Sequence, residues 1–128
     1  MSSCRILVAD DQPDVRSALK MLLERHSGWT VCGEATDGTQ AVKRTVDLKP
    51  DIVLLDISMP KLNGLMAARL IREKAPSSKI IFLTLHESLG MARLASKMGA
   101  ASFVTKSLVT THLVPQIEAL QSTANLPQ

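Results

Sequence analysis

Short apolar runs alternate along the chain with segments whose apolar residues recur at helical spacing. Arg5-Ile6-Leu7-Val8-Ala9 predicts a buried strand that ends on Asp10 and Asp11. Pro13 suits the first turn of a helix, where a missing N–H costs nothing. Val15, Ala18, Leu19, Leu22 and Leu23 then mark that helix's apolar stripe, and Gly28 is expected to end it. Trp29 to Ala35 predicts a second strand, weakened by Gly33. Asp37-Gly38 signals a turn, Thr39 is expected to cap the next helix, and Ala41, Val42 and Val46 give that helix an apolar face that stops at Lys49-Pro50. Residues 51–56 form the clearest buried strand, apolar almost throughout, as a central parallel strand covered on both faces would be.

The loop 57–64 leads to a third helix over about 65–74, broken at Pro76-Ser77-Ser78. Residues 79–85 predict the fourth strand, and about 88–98 the fourth helix, with Gly99 as its stop. Residues 102–105 are a short fifth strand, and Leu113, Ile117 and Leu120 mark a fifth helix. Pro115 must lie in the first turn of that helix or bend it. Five strand–helix units imply an α/β fold: a five-stranded parallel sheet, doubly wound with helices on both faces and right-handed crossovers. One domain over 1–121 accounts for the periodic part, leaving 122–128 as a polar tail or the start of a linker.

Composition changes this picture little. Hydrophobic residues make up 45% and charged residues 21%, an ordinary globular balance. Trp29, Phe82 and Phe103 are the only aromatics, so the core is aliphatic and the stacking residues of single-strand binders are missing. A net charge of +3, with both signs interspersed, favours a solvated mixed surface over a nucleic-acid face. Cys4 and Cys32 fit no metal or redox spacing and read as reduced core thiols, in keeping with a cytoplasmic protein. No stretch approaches the length of a membrane span and no signal pattern opens the chain. His26, His86 and His112 lack ligand spacing and read as surface or helix-end histidines, and Met66, Met91 and Met98 as core filler.

Chemistry enters at the strand ends, where ligands sit in open α/β sheets. Strand one ends in Asp10 and Asp11, strand three in Asp56, strand four carries Thr84 near its end, and Lys106 follows strand five. Alone, each has a plain structural role as helix cap, turn residue, strand residue or solvated charge. Together, three carboxylates on one rim repel unless a cation compensates. Mg²⁺, a hard cation that takes oxygen ligands, is the natural choice, with Lys106 as a mobile positive charge and Thr84 as a hydrogen-bond donor to a phosphoryl oxygen. A carboxylate placed beside a metal and a lysine can attack phosphorus and form an acyl phosphate.

Residues 49–60 followed by Asn63-Gly64-Leu65 resemble the phosphorylation strand and loop of response regulator receiver domains, the phosphoacceptor modules of two-component signalling. Asp10-Asp11, Thr84, Lys106 and the approach Gly99-Ala100 to Phe103 fall in the matching order. The resemblance implies a flavodoxin-like sheet in the strand order 2-1-3-4-5, with Asp56 as the phosphoacceptor. It implies that Asp11, Asp56 and the backbone carbonyl of Ser58 ligate Mg²⁺ (or Mn²⁺), with Asp10 acting through a bound water. It further implies that Lys106 pairs with the phosphoryl group, that Thr84 bonds to it, and that Phe103 is the coupled switch aromatic. The implied partners are a sensor histidine kinase or phosphotransfer protein, and a second copy in a phosphorylation-dependent homodimer. The module is expected to promote only its own phosphorylation and dephosphorylation.

Two departures stand out. Ser107 replaces the proline that often follows the strand-five lysine, which is closer to regulators of the LuxR type with a DNA-binding effector domain. Leu85 replaces the small residue that often follows the threonine, and so is expected to hinder access to the phosphoryl group; Ser58 and His86 occupy positions that tune hydrolysis. An aspartyl phosphatase would need a second acid two residues after the nucleophile, where Ser58 stands. A never-phosphorylated interaction module would usually have lost a pocket residue, and a flavin site would want a glycine-rich loop after strand one. A single-domain regulator, a phosphorelay carrier and a receiver cut from a longer transcription factor all fit the length; DNA binding is expected only with an effector domain.

Overall fold

The computed structural model describes residues 3–59, 61–85 and 89–124, the side chains of 89, 91, 123 and 124 excepted. The expectations for Pro60, His86, Ser88 and residues 125–128, and for the Met91 side chain, lie outside the described residues. Five strands, β1 (Cys4–Ala9), β2 (Trp29–Ala35), β3 (Ile52–Asp56), β4 (Lys79–Thr84) and β5 (Ser102–Thr105), alternate with helices. These are α1 (Pro13–Glu24), α2 (Gly38–Leu48), α3 (Gly64–Lys74), α4 (Leu89–Lys97) and α5 (Val109–Ala124), the last entered through a 3-10 turn at Lys106–Leu108. The strands pair in parallel in the order β2-β1-β3-β4-β5.

Side chains alternate across a strand, so one parallel sheet makes two cores. Ile6, Val8, Ile52, Leu54, Ile81, Leu83 and Val104 face Leu19 and Leu23 of α1 and Leu113 and Ile117 of α5. Leu7, Ala9, Val53, Leu55, Ile80 and Phe82 face Ala41 of α2, Ala67, Ala68 and Ile71 of α3 and Ala95 of α4. All five residues of β3 are buried, as its unbroken apolar run requires.

The local differences from expectation have local causes. Asp37, not Thr39, caps α2: its carboxylate accepts the Gln40 amide at 2.8 Å. Thr45 rather than Val46 faces the core on that helix. It hides its hydroxyl by donating to the Ala41 carbonyl at 2.7 Å, while Val46 is exposed. Gly33 does not break β2; the register with β1 skips Cys32, a bulge that absorbs one residue. β4 ends at Thr84, and Leu85 beyond it is 64% exposed. Met66 is 43% exposed and not core filler, whereas Met98 packs on the second core. Pro115 lies inside α5 beyond the first turn, and α5 continues to Ala124, through the first residues expected to be tail. His26 is a helix-end histidine just beyond α1 and is half-buried. Its ring stacks on Trp29 at 3.7 Å between centroids, and its Nε2 lies 3.2 Å from Glu118 of α5.

Candidate functional site: an acidic pocket at the carboxyl ends of the strands

Parallel pairing places every strand's carboxyl end on the same rim. Asp10, immediately after β1, is fully buried; Asp56, the last residue of β3, is 3% exposed; Asp11 is exposed. One carboxylate oxygen from each of the three lies within 4.8 Å of the others. The buried carboxylates are held by the backbone that follows them. Asp10 Oδ1 accepts the Gln12 amide at 2.9 Å and Asp56 Oδ1 accepts the Ser58 amide at 3.0 Å. Each aspartate thus closes a turn in its own backbone, and α1 has no side-chain cap; the other oxygen of each is left for chemistry.

Lys106 enters from the turn after β5. Its Nζ lies 2.9 Å from Asp10 Oδ2 and 3.2 Å from Asp56 Oδ2. Only the contact with Asp56 has hydrogen-bond alignment, so Asp10 Oδ2 is a buried oxygen in an ion pair but without a hydrogen bond among the described residues. Burial alone would lower the Lys106 pKa; its contact with Asp10 and the fields of Asp56 and Asp10 more than offset this and raise it. Lys106 is therefore charged. Burial raises the Asp56 pKa; the Ser58 amide opposes, the charge of Asp10 adds to the rise, and Lys106 opposes again.

Thr84, buried at the end of β4, pairs across the sheet with Thr105, the residue before Lys106. The structure thus brings Asp10, Asp11, Asp56, Lys106 and Thr84 to one rim. Phe103 stands apart, half-buried two strand positions before Thr105. It lines a cavity of about 430 Å³ with Ala92 and Ala95 of α4 and His112 and Gln116 of α5. Gln116 donates to the Phe103 carbonyl at 3.2 Å and accepts from the Ser102 hydroxyl at 2.6 Å, tying α5 to β5.

One supporting residue escaped sequence reasoning, and another was named only as part of a motif. Arg16 of α1 donates through Nη1 to the Asp10 carbonyl at 2.8 Å and through Nε to Glu34 at 2.9 Å, fixing the backbone that carries the two aspartates. Nothing in its spacing sets it apart from a solvated helix arginine. Gly64 is the other: its amide donates to the Ile57 carbonyl at 3.0 Å, and a Cβ there would collide with the backbone of Asp56 and Ile57. Only glycine lets α3 start this close to the loop after β3.

Three carboxylates and one ammonium leave a surplus of negative charge, and the two buried carboxylates share that single cation. This donor set fits a hard divalent cation with oxygen ligands. The profile of the response regulator receiver domain matches residues 6–118. The chain belongs to the response regulator receiver domain family. This receiver is 38% identical over 110 residues to the chemotaxis protein CheY of Thermotoga maritima, covering 86% of this chain and 91% of that one. It is 37% identical over 119 residues to the protein-glutamate methylesterase/protein-glutamine glutaminase of the same organism, with 88% of this chain but only 35% of the relative's length covered. Among solved structures, the LuxR-family two-component response regulator from Aurantimonas sp. SI85-9A1 superposes with a TM-score of 0.89 at 36% identity, over 94% of this chain and 86% of that one. Receivers in these proteins thus stand alone or join larger chains. Among the described residues, no helix is long and apolar enough to cross a membrane.

Proposed function

We propose that this receiver is a phosphorylation switch whose acceptor is Asp56. The observation that carries the proposal is the pairing of Lys106 with both buried aspartates, within a set of three carboxylate oxygens that lie within 4.8 Å of one another. A sensor histidine kinase or phosphotransfer protein would present a phosphohistidine. An Asp56 oxygen forms the new bond to phosphorus, the phosphorus–nitrogen bond breaks, and the histidine ring nitrogen leaves with the electron pair. Mg²⁺ (or Mn²⁺), when bound, would neutralise the phosphoryl oxygens. Asp11, Asp56 and the Ser58 carbonyl would hold it, with Asp10 acting through a water.

Lys106 already sits on Asp56 and would shift its ammonium to a phosphoryl oxygen as that oxygen arrives. Its flexible stem suits the move. Thr84, at the same rim, would donate its hydroxyl to the phosphoryl group. Phe103 would turn inward as Thr84 moves, changing the surface of α4, β5 and α5, which a second copy or an output domain then engages. Leu85, exposed beside Thr84, would hinder access to the phosphoryl group and alter its lifetime. The reaction is the receiver's own phosphorylation and dephosphorylation, with no free substrate turned over.

The output we favour is transcriptional, through an effector domain following the receiver over 1–121, with DNA contacted by that domain and not by the receiver. The LuxR-family similarity and Ser107 support it. The setting is cytoplasmic. Intact mass after incubation with acetyl phosphate tests the acceptor: one phosphoryl adduct is expected with Mg²⁺, and none without it or in Asp56→Asn. An adduct that persists in Asp56→Asn places the acceptor elsewhere; no adduct with either acetyl phosphate or a phosphorylated kinase removes the switch altogether.

A further inference from the structure

Away from the acidic rim, a cation-rich groove runs between α3 and α4. Arg69, Arg72 and Glu73 of α3, Lys97 at the end of α4 and Met98 just beyond it line a cavity of about 470 Å³. Among the described residues, none of these three cations makes an ion pair or side-chain hydrogen bond. Arg93, one turn before Lys97, is also exposed. Cations in a last turn complement the helix dipole, which accounts for Arg72 and Lys97 as charges. It does not account for Arg69.

Arg72 reaches over Gly99. That residue has φ 77, and a Cβ there would collide with Cδ, Nε and Cζ of Arg72. The missing side chain at Gly99 leaves room for the Arg72 stem to pass over the turn after α4. Two guanidinium groups and one ammonium around the same hollow match the charge of a phosphate group.

We propose that this groove binds a small phosphate-bearing molecule of the mononucleotide class. Its volume falls in the range of small-ligand sites rather than that of an extended polymer track. Glu73 would repel a polyanion running through the groove, yet it offers an acceptor to an N–H on a ligand's ring. The Met98 thioether supplies a polarisable surface on which such a ring can lie. The phosphate would sit on Arg69, Arg72 and Lys97.

Titration of the whole chain with ADP in EDTA tests this, followed by backbone amide shifts and calorimetry with inorganic pyrophosphate as competitor. EDTA removes any metal that would bridge phosphate to the aspartates. Saturable binding is expected, with shifts gathered at residues 69–73 and 97–99 and displacement by pyrophosphate. Arg72→Ala and Lys97→Ala should each weaken it about tenfold or more, as loss of a charge-assisted contact does. Arg72→Lys should fall between, and Lys20→Ala on α1, across the sheet, should leave binding unchanged. Absence of saturable binding, binding indifferent to Arg72 and Lys97, or shifts centred on the Asp56 rim would each overturn the proposal. Tighter binding of duplex DNA that pyrophosphate does not displace would also overturn it, in favour of a nucleic-acid face.

Discussion

Replacing Asp56 by asparagine is expected to stabilise the metal-free protein at neutral pH. Asp56 Oδ2 lies 3.2 Å from the Lys106 ammonium, an attraction of about 5 kcal/mol at an effective dielectric of about 20. Asp10, within 4.8 Å and fully buried, repels by about 3.5 kcal/mol or more on the same scale. Asp11 is exposed, so water reduces its share to about 1 kcal/mol. These opposing charges nearly cancel. What remains is the lost hydration of a carboxylate that is 3% exposed, about several kcal/mol, offset by the Ser58 amide at about 1.5–3 kcal/mol. Burial thus decides the sign, which is why the Asp56 pKa is raised.

A raised carboxyl pKa means that the folded state holds the proton more tightly than the unfolded state. Ionised Asp56 then costs stability above its folded pKa, and the cost disappears as pH falls through that value to the unfolded one. Asparagine has no charge to bury. A gain of about 1–2 kcal/mol follows, or about 4–8 °C in Tm for 128 residues at about 2.1 cal/mol/K each. Thermal unfolding followed by circular dichroism in EDTA at about pH 7.5 measures it, and the gain should shrink toward about pH 4.5. Added Mg²⁺ should raise the wild-type Tm more than the variant's, since the variant has lost a ligand. An unchanged or lower Tm for Asp56→Asn in EDTA at neutral pH would refute the reasoning and show that the Lys106 pairing outweighs burial.

Lys106→Met keeps much of the stem and removes the charge, leaving Asp10 buried without a cation. Urea unfolding should show a loss of about 2–4 kcal/mol, below that of a sealed ion pair because the pocket opens at Asp11, and Mg²⁺ should restore part of it. The Lys106 pKa is raised on folding, so its contribution is complete below its unfolded pKa and is lost as pH rises through the folded one. A difference between wild type and variant that shrinks well below about pH 10 would contradict this. Burial pushes the Cys4 thiol up to about 11, with the charge of Asp51 adding to it. At about pH 8 roughly one Cys4 in a thousand is then thiolate, so native-state alkylation mapped by mass spectrometry should mark half-buried Cys32 first. Equal rates at the two thiols would sink that expectation.

The elements were legible because burial on both faces of a parallel sheet leaves a strong mark. Residues 51–56 could hardly be anything but a central strand, and the ends of β2 and β5 were read to the residue. The rim residues were legible for a related reason. A polar residue that directly ends an apolar strand has only one place to go in this architecture, so Asp10, Asp56 and Lys106 could be placed together before any distance was known.

What only the tertiary structure decided is how those groups divide their contacts. Composition and order name three carboxylates and a lysine. They do not say that Lys106 bridges the two buried aspartates while Asp11 stays in water, because that depends on the relative depth of three strand ends. Arg16, and the parts that Asp37 and Gly64 play, were invisible for the same reason. Each serves the backbone of another segment or its own helix start, through contacts that carry no periodic signature. Thr45 exchanged faces with Val46 because a hydroxyl that bonds to its own helix can be buried at little cost, which apolar periodicity does not count. The sequence by itself determined the order of elements and which chemistry reaches the rim, since both follow from burial along the chain. The pairing of charges, and the placing of Arg72 over Gly99, were decided by contacts between segments distant in sequence.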